Sequence, residues 1–486
     1  MRTVFLVAVA IIAVGVVAEA LLVPIPSEMA LNYVEGFAVF DGRAAAAGQN
    51  LYADPRTHPF TLHVYTPLYT EGLGALIRAG ADGLLAGRLV SYAAILATAF
   101  LMGFTGSRRT SFIAWVVAVL YLTQPLIGTW GPTVRPDSLA VLFSALGVVC
   151  IDRSISSRSL VLAAIFFLLA LFTKQSVGMG LLAAGIFLLV KAPGRAVLLA
   201  ALCALGVALT ALVLEWTSNG WFLFHAVKAN LAPFSWAKVS FLEKHFFLTH
   251  WPALLGAFTV LAFCALRRRF SIYAIWFVTA GLATVSVGKT GSDMNHFLEW
   301  IAAAGFLVAN QWPAPSSTPR RAAIRVAGVG LAAGVLAVGL YNWNLQRERN
   351  SWIRPARAQF DAVATRLSSR EGPVVSDDAG LLIALERPLL LRPYVMAQLA
   401  YAGDWDAEPL VSMFDAREIA LVVFEAQPGG PPGAARYTAP MREALLRNYR
   451  RIGAYRTHAN FEIYAPRDTR REPAVPEQDG VEPGNS

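Results

Sequence analysis

A succession of apolar runs separated by short loops dominates this sequence and constrains what it can fold into. A helix needs about 20 mostly apolar residues to cross a bilayer, and it bonds all of its backbone groups internally. We predict eleven spans, at 3–23, 84–104, 110–127, 136–151, 159–173, 176–191, 195–215, 249–267, 271–288, 297–311 and 324–342. The sequence therefore predicts an all-α polytopic membrane protein over its first 342 residues.

The composition excludes several other classes of protein. Hydrophobic residues make up 56% of the 486 residues and charged residues 15%, whereas soluble domains carry about 25% charge. The formal charge of +9 does not indicate nucleic-acid binding, because the basic residues cluster in loops between apolar runs. The three cysteines lie in or at the end of apolar runs, which argues against a structural disulfide.

The distribution of lysine and arginine predicts the orientation of the spans. Every second loop is basic, and such loops face the cytoplasm. The basic positions are Arg2, Arg108, Arg109, Arg153, Arg158, Lys191, Arg195, the run 267–269, Arg320, Arg321 and Arg325. This pattern puts the amino terminus in the cytoplasm and residues 24–83, 216–248 and everything after 342 outside it. The first run is long for a signal peptide and favours a retained anchor, although the sequence at 18–20 resembles a cleavage site.

The composition changes after residue 342, where we predict a small α/β domain over 343–466 and a disordered tail over 467–486. Helical periodicity marks 354–370 and 438–450, and strand-like runs occupy 373–376, 419–424 and 461–464. The first outer loop, 24–83, belongs with the membrane domain in this division. It contains two predicted helices, 27–42 and 68–80, and the first would carry Glu28 and Glu35 on one side.

Six short motifs occur in a fixed order along the predicted outer face. They are YVEG at 33–36, GQNLYADP at 48–55, YTPLY at 65–69, VRPDS at 134–138, FTKQ at 172–175 and DMNHFLE at 293–299. In order and placement the chain resembles the C-type (GT-C) membrane glycosyltransferases of bacteria, the superfamily that includes the protein mannosyltransferases. The resemblance implies a hexosyl- or pentosyltransferase of the cytoplasmic membrane. Its donor would be a polyprenyl-phosphate-linked sugar, and its acceptor a glycan, lipid or protein at the outer face.

The resemblance also implies a catalytic acid in the first outer loop. Transfer to a hydroxyl needs a base that takes the acceptor proton as the anomeric bond breaks. Glu35 stands at that position, and Glu28, Asp41 and Asp54 are the alternatives because the family more often has aspartate there. Tyr65, Tyr69 and Asp54 are candidates for the substrate pocket, together with Asn295 and His296 of the last motif.

Three basic residues, Arg135, Lys174 and Lys289, stand at the outer ends of predicted spans, where the positive-inside rule expects none. We predict that they bind the donor phosphate, since arginine forks onto phosphate oxygens and lysine acts as a point charge. The alternative is that they snorkel to lipid headgroups. Asp137 either pairs with Arg135 or caps the following helix, and the cap is the favoured interpretation.

The sequence offers little support for metal, nucleotide or serine-hydrolase chemistry. His58 and His63 lie near Asp54, but no second His or Cys pair has metal-ligand spacing. We therefore predict no cofactor, with a catalytic divalent metal as the alternative. No nucleotide-binding or Ser-His-Asp signature is present, and nucleic acid is not an expected partner. A transporter or lipid flippase is the rival function, followed by a non-catalytic scaffold; a transporter would favour paired repeats and mid-membrane charges.

Overall fold

The computed structural model describes residues 2–106, 111–312, 321–426, 433 and 436–467. The chain divides into two compact units. The helical unit comprises Met1–Pro26 and Val64–Asn350, and the mixed unit comprises Ser27–His63 and Ser351–Ser486. Most of the first outer loop therefore belongs to the same compact unit as the carboxyl-terminal part of the chain. The predicted division at residue 342 stays a prediction.

The helical unit is built from fourteen described helices. They are α1 (Arg2–Leu22), α3 (Leu68–Arg78), α4 (Gly83–Thr105), α5 (Ser111–Thr123), α6 (Pro125–Trp130), α7 (Asp137–Arg153), α8 (Ser157–Thr173), α9 (Met179–Lys191), α10 (Pro193–Thr217), α11 (Phe222–Ala226), α12 (Trp236–Leu266), α13 (Ile272–Ala283), α14 (Leu298–Gln311) and α15 (Arg321–Asn350). Three 3₁₀ helices, Lys228–Asn230, Thr284–Gly288 and Met294–Phe297, connect them. The predicted surface helix at 68–80 is α3.

Within the described residues, α4, α10 and α12 are long and apolar enough to cross a membrane. Five shorter apolar stretches are Val7–Leu22, Phe112–Thr123, Ser157–Thr173, Met179–Lys191 and Ile272–Gly288. The predicted count of eleven spans is therefore not confirmed. One cause is visible at 110–127, where Pro125 ends one helix and begins another because it has no N–H to donate. Only 11% of the apolar window of α10 is buried, which leaves its side chains exposed to a surrounding bilayer.

Small residues allow the helices around α7 to approach closely. A Cβ added at Gly180 of α9 would lie 2.3 Å from Ser144 Oγ of α7, and one added at Gly147 of α7 would lie 2.5 Å from the Phe167 ring of α8. Close approach of this kind is typical of helix packing in membranes, where small residues line the contacts. The result is that α7 lies among α4, α8 and α9, with Asp137 at its amino-terminal end.

The mixed unit contains a four-stranded sheet with helices around it. The strands are β1 (Val374–Ser376), β2 (Leu421–Glu425), β3 (Tyr449–Arg456) and β4 (Asn460–Pro466), in the order β1-β2-β4-β3. Strands β1 and β2 are parallel, and the other pairs are antiparallel. The helices are α2 (Tyr33–Ala46), α16 (Ile353–Leu367), α17 (Ala379–Ala384), α18 (Pro393–Tyr401), α19 (Glu408–Asp415) and α20 (Ala439–Asn448).

The sequence predicted β1, β2, β4, α16 and α20 within a few residues of their observed bounds, and it missed β3 and α17–α19. Strand β3 carries the polar sequence YRRIGAYR, so its apolar alternation is weak, and it is a strand because it pairs with β4. The tail predicted over 467–486 lies, from residue 468 onward, outside the described residues.

The helix predicted over 27–42 begins later than expected, at Tyr33. Asn32 is its N-cap, and the Asn32 side chain accepts a hydrogen bond from Val34 N at 3.0 Å. Glu28 lies before the helix in an irregular segment, so the prediction that Glu28 and Glu35 share one helix face is wrong. Glu35 is in the first turn of α2.

Candidate functional site

A buried cluster of charged groups lies in the helical unit around the carboxylate of Asp137. Its Oδ1 accepts hydrogen bonds from Lys174 Nζ and, at 2.6 Å, from Asn295 Nδ2. Its Oδ2 accepts from Arg135 Nε at 3.3 Å. All four side chains are more than nine-tenths buried. Because charge-assisted hydrogen bonds fix both partners, the Asp137 carboxylate sets the positions of the two cations and of the Asn295 amide.

Two further lysines adjoin this group. Lys289 Nζ donates to Asn230 Oδ1 at 3.4 Å, and Lys238 Nζ donates to the carbonyl oxygens of Lys289 and Ser292 at 2.9 and 2.6 Å. Burial lowers the pKa of Lys289, and the neighbouring charges of Lys174 and Lys238 lower it further. Lysines that repel one another across a partly buried space create a positive potential there.

We call Arg135, Lys174, Lys238, Lys289, Asp137 and Asp293 the cationic cluster. Asp293 acts electrostatically on Arg135 and Lys238, and its side chain accepts from Met294 N at 2.6 Å. The four cations outnumber the two carboxylates, so this set carries an excess of positive charge. His296 adds none at neutral pH, because burial and then the charge of Lys174 lower its pKa to about 3. The excess charge suits an anionic ligand.

Contacts of both its side chain and its backbone hold Arg135 in place. The guanidinium of Arg135 lies over the Trp130 ring, 4.6 Å from its centroid, and the Arg135 carbonyl accepts from Ser91 Oγ at 3.0 Å. Tyr69 OH contacts the same Ser91 Oγ at 3.1 Å and donates to the Gly87 carbonyl at 3.0 Å. Tyr69, predicted to line the substrate pocket, is therefore a buried brace of the Arg135 backbone.

The segment at 64–66 is tied to the other side of the cluster. The Val64 carbonyl accepts from Gln175 Nε2 at 2.8 Å and from Asn230 Nδ2 at 3.0 Å, and Asn230 is also the partner of Lys289. The Tyr65 ring centroid lies 5.9 Å from Lys174 Nζ. The Val64 carbonyl thus links the neighbourhoods of Lys174 and Lys289. Tyr65 adjoins Lys174, and its role in a substrate pocket stays a prediction.

The structure corrects the favoured interpretation of Asp137. The residue is the first of α7, and no side-chain hydrogen bond caps that helix. Its carboxylate is used instead by Lys174, Arg135 and Asn295. The cap prediction failed because it considered local sequence, whereas Lys174 and Asn295 are 37 and 158 positions away along the chain. The pairing of Asp137 with Arg135 is confirmed.

Glu35 belongs to the mixed unit, where its side chain is fully buried. Its Oε2 accepts a hydrogen bond from Leu31 N at 2.6 Å. Glu35 is three residues after the N-cap Asn32, and a glutamate there can reach back to the entering backbone, as in a capping box. The contact fixes the carboxylate in one orientation and gives Glu35 a structural role beside any catalytic one.

The alternative acids each form an ion pair with arginine. Glu28 pairs with Arg357 at 2.8 Å, and its side chain is 71% exposed. Asp54 pairs with Arg56 at 2.8 Å in an exposed turn. Burial raises the pKa of Asp41, but the Arg392 guanidinium and His63 outweigh burial and hold the pKa below its ordinary value. A carboxylate with a lowered pKa is a weaker general base.

Each of the two histidines close to Asp54 in the sequence contacts another side chain. His63 Nδ1 contacts Asp41 Oδ2 at 2.8 Å, and the His58 ring packs on Phe60. In the part of the chain that the structure describes, no three His, Cys, Asp or Glu side chains converge as a metal-binding group. The prediction of a reaction without a cofactor stays a prediction. His296, from the last motif, contacts Ser286 Oγ through Nδ1 at 2.9 Å.

The sequence analysis did not predict two residues that form hydrogen bonds at or near the site, Asn230 and Glu299. Asn230 carries no charge and is the last residue of the 3₁₀ helix Lys228–Asn230, so nothing in the sequence marks it. Glu299 is a carboxylate in the first turn of the apolar helix α14, and acids within membrane helices are rare and mark functional or structural sites. That signal was available in the sequence, since Glu299 ends the motif at 293–299.

Comparisons with known proteins point to one class of fold. The sequence matches no protein-family model and no curated protein. The structure is similar to ArnT from Cupriavidus metallidurans in the apo state, with a TM-score of 0.63, 14% identity and coverage of 95% of this chain and 98% of ArnT. It is similar to the same ArnT bound to undecaprenyl phosphate, with a TM-score of 0.59, 13% identity and coverage of 93% and 97%.

A third similar structure is the archaeal oligosaccharyltransferase AglB from Archaeoglobus fulgidus in complex with an inhibitory peptide and a dolichol-phosphate. Its TM-score is 0.50 at 13% identity, over 93% of this chain and 79% of AglB. These likenesses show the fold. The chain has the fold of the GT-C glycosyltransferases, mostly helical with a small carboxyl-terminal sheet, as its motifs predicted.

Proposed function

We propose that this protein is a membrane glycosyltransferase that takes a hexosyl or pentosyl group from a polyprenyl-phosphate donor. The observation that carries the proposal is the buried cationic cluster, with its excess of positive charge, in a chain of GT-C fold. Two similar proteins support the choice of ligand, since one ArnT structure holds undecaprenyl phosphate and the AglB structure holds a dolichol-phosphate. Both ligands combine a phosphate with a long apolar chain.

The chemistry assigns a task to the cluster. During transfer the bond between the anomeric carbon and the phosphate oxygen breaks, and the bonding electrons remain on the departing polyprenyl phosphate. Arg135, Lys174 and Lys289 would bind that phosphate and stabilise its growing negative charge. Asp137, which also accepts from Asn295, holds the first two cations in place before the ligand arrives, so little reorganisation is needed when the charge develops.

The acceptor supplies the new bond. An acceptor hydroxyl attacks the anomeric carbon, and its proton passes to a general base. Glu35 is the candidate, because it stands in the motif at 33–36, where the resemblance to the GT-C enzymes implies a catalytic acid. Tyr65, Asn295 and His296 adjoin the cluster and are candidates for sugar contacts. A glycan, a lipid or a protein could provide the hydroxyl, and the AglB complex with an inhibitory peptide supports a protein acceptor as one of the three.

We further propose that the reaction takes place at the outer face of the bacterial cytoplasmic membrane. The alternation of basic loops supports this orientation, with the amino terminus in the cytoplasm and the carboxyl-terminal domain outside. In this orientation the six motifs and the acidic first outer loop all lie on the outer side of the membrane.

The test is transfer of sugar by the purified full-length protein in lipid nanodiscs. Polyprenyl-phosphate sugars labelled in the sugar would be supplied with a cell-envelope extract, and the product would be separated from lipid. Covalent label in the acceptor fraction is the expected result. Movement of intact labelled lipid across proteoliposomes without any transfer would overturn the proposal and establish the flippase alternative.

A further inference from the structure

The helix that carries Glu35 packs on the carboxyl-terminal part of the same unit at a contact between two glycines. A Cβ added at Gly36 of α2 would lie 2.6 Å from both the Ala379 carbonyl carbon and Gly380 N of α17. A Cβ added at Gly380 would lie 2.8 Å from Ala30 Cβ and 3.0 Å from Ala30 N. The backbones of the two segments therefore touch, immediately beside Glu35.

A second contact, made by Arg392, holds the same helix along its length. Arg392 Nη2 donates to the Phe37 carbonyl at 3.2 Å and to Asp41 Oδ1 at 2.7 Å, and Nη1 donates to the Leu62 carbonyl at 2.7 Å. The guanidinium also lies over the Phe37 ring. Arg392 is 5% exposed, so these charge-assisted bonds are shielded from water and hold α2 firmly.

A third contact holds the amino-terminal end of α2. The Arg436 guanidinium stacks on the Tyr33 ring, 3.8 Å from its centroid, and Tyr394 N donates to Tyr33 OH at 3.3 Å. His458 contacts the Ala30 carbonyl at 3.3 Å. Residues from four places in the carboxyl-terminal chain thus contact the segment from Ala30 to Asp41, which contains Glu35.

The α17 side of the glycine contact is itself rigid. Asp378, which follows β1, accepts hydrogen bonds from Gly380 N and Leu381 N at 3.0 and 3.3 Å, and its second oxygen accepts from Tyr455 OH of β3 at 2.9 Å. Two positions in the sheet are therefore tied to the first turn of α17. A shift of α17 would have to break buried hydrogen bonds.

We propose that residues 351–426 and 436–467 serve the transfer step as the positioning element for Glu35, with Gly380 and Arg392 as positioning residues. The inference rests on the proposed function, in which Glu35 is the base. Positioning matters because a misplacement of about 1 Å at a catalytic group can cost about 100-fold in rate. On this view the carboxyl-terminal residues take no part in the chemistry themselves and act through the carboxylate of Glu35.

The test is a double-mutant cycle on kcat, with Glu35→Gln and Gly380→Ala. Alanine favours a helix over glycine, and the Cβ added in Gly380→Ala would lie 2.8 Å from Ala30 Cβ and 3.0 Å from Asp378 Oδ1, so it presses on the segment that leads into α2. We expect Gly380→Ala to lower kcat by about 10- to 100-fold, with the donor KM unchanged within about twofold. In the Glu35→Gln background the same change should have no further effect, because its target has already been removed.

Controls separate positioning from general damage. Gly72→Ala makes the same chemical change in a helix where nothing lies within 4 Å of the added carbon, and it should leave kcat unaltered. Ala30→Gly removes one of the clashing methyl groups and should restore part of the rate of Gly380→Ala. If Gly380→Ala does not fold, Arg392→Lys replaces it in the same cycle, since it keeps the charge but loses the fork of bonds.

The outcomes distinguish the two proposals. Loss of activity in Glu35→Gln together with a wild-type kcat in Gly380→Ala would overturn the positioning role and leave the base assignment standing. Equal, multiplicative losses in the two backgrounds would overturn it as well, since Gly380 would then act on something other than Glu35. Full activity of Glu35→Gln would overturn the base assignment first.

Discussion

At the scale of the residue, the carboxylate of Asp137 decides what the two neighbouring cations can do. A buried lysine or arginine needs a counter-charge, and Asp137 supplies it to Lys174 and Arg135 together. The two cations keep donors beyond those that Asp137 uses, since lysine has three N–H groups and arginine five. A phosphate can therefore bind without displacing the carboxylate.

Removal of one cation tests this reading of the cluster. Lys174→Ala and Arg135→Ala should each raise the donor KM by about 10- to 100-fold, because a hydrogen bond to a charged group contributes about 1.5–3 kcal/mol. Lys244→Ala removes an exposed lysine that is not a member of the cluster and serves as the control. Steady-state kinetics with varied donor measures the effect, and an unchanged donor KM in both variants would remove the phosphate role.

The Glu35 carboxylate is tested by an isosteric change. Glu35→Gln keeps an oxygen that can accept from Leu31 N but cannot take a proton at neutral pH. General-base catalysis contributes about 10²–10⁴-fold, so we expect kcat to fall by that factor while donor binding is retained. Glu28→Gln, in the exposed pair with Arg357, is the matched control. Loss of activity in the control with a normal rate in Glu35→Gln would assign the base to Glu28.

Asp377 gives the mixed unit a pH-dependent stability. Burial raises the pKa of this carboxyl from 3.8 to about 7, against the opposing effect of the Arg436 guanidinium. The folded state therefore holds the proton more tightly than the unfolded state, so the contribution of Asp377 is complete below about pH 4 and is lost as the pH rises to about 7. The difference between the two pKa values corresponds to about 4 kcal/mol.

The measurement is thermal unfolding of the full chain at pH values from 5 to 8, with and without Asp377→Asn. The amide cannot ionise, so the variant should lack the part of the pH dependence that Asp377 causes and should be more stable than the wild type at pH 8. Asp361→Asn, at an exposed position, should follow the wild-type profile. Parallel profiles for Asp377→Asn and the wild type would contradict the prediction.

At the scale of the element, Glu299 joins α14 to three other helices. Its Oε1 accepts from Ser144 Oγ of α7 at 2.8 Å, from Gly180 N of α9 at 3.0 Å and from Trp276 Nε1 of α13 at 3.0 Å. Asn295, one turn earlier in the chain, bonds Asp137 of α7. This segment thus contacts α7 at two places, at Ser144 through Glu299 and at Asp137 through Asn295. The Asn295 contact supports the position of Asp137.

Truncation of Glu299 should destabilise the helical unit strongly. Glu299→Ala leaves three buried donors without their acceptor, and each unsatisfied group costs about 1–3 kcal/mol. Glu299→Gln retains an acceptor oxygen and should cost less than half as much. Thermal unfolding in detergent compares the two variants. Equal stability of Glu299→Ala and the wild-type protein would show that the four helices are held together without this carboxylate.

At the scale of the whole molecule, orientation in the membrane is the property that the proposed function depends on most. A reporter enzyme active only outside the cytoplasm should give signal when fused after Asn344 and none when fused after Arg268. The physical reason is the cost of translocating the basic clusters that alternate along the chain. The reverse pattern would place the acidic first loop in the cytoplasm and would exclude transfer at the outer face.

The sequence by itself determined those features that depend on residues close together in the chain. Apolar runs, basic loops and the helices at 354–370 and 438–450 follow from local hydropathy and periodicity, and the motif order indicated the GT-C fold. Arg135 and Lys174 were predicted to bind the donor phosphate because a charge at the predicted outer end of a span is conspicuous against an apolar background. That role stays a prediction. The predicted count of eleven spans is not confirmed, and at 110–127 the same local reasoning joined two helices that Pro125 separates.

The tertiary structure decided everything that depends on partners far apart in sequence. Asp137 binds Lys174 and Asn295 because α7, α8 and α14 meet there, and no local pattern encodes that meeting. The first outer loop joins the carboxyl-terminal part of the chain through Asp41 and Arg392, the N-cap residue of α18, which are 351 positions apart. Hydropathy and propensity act over a few turns of chain, whereas the pairing of buried charges depends on which elements pack together, and only the folded chain contains that information.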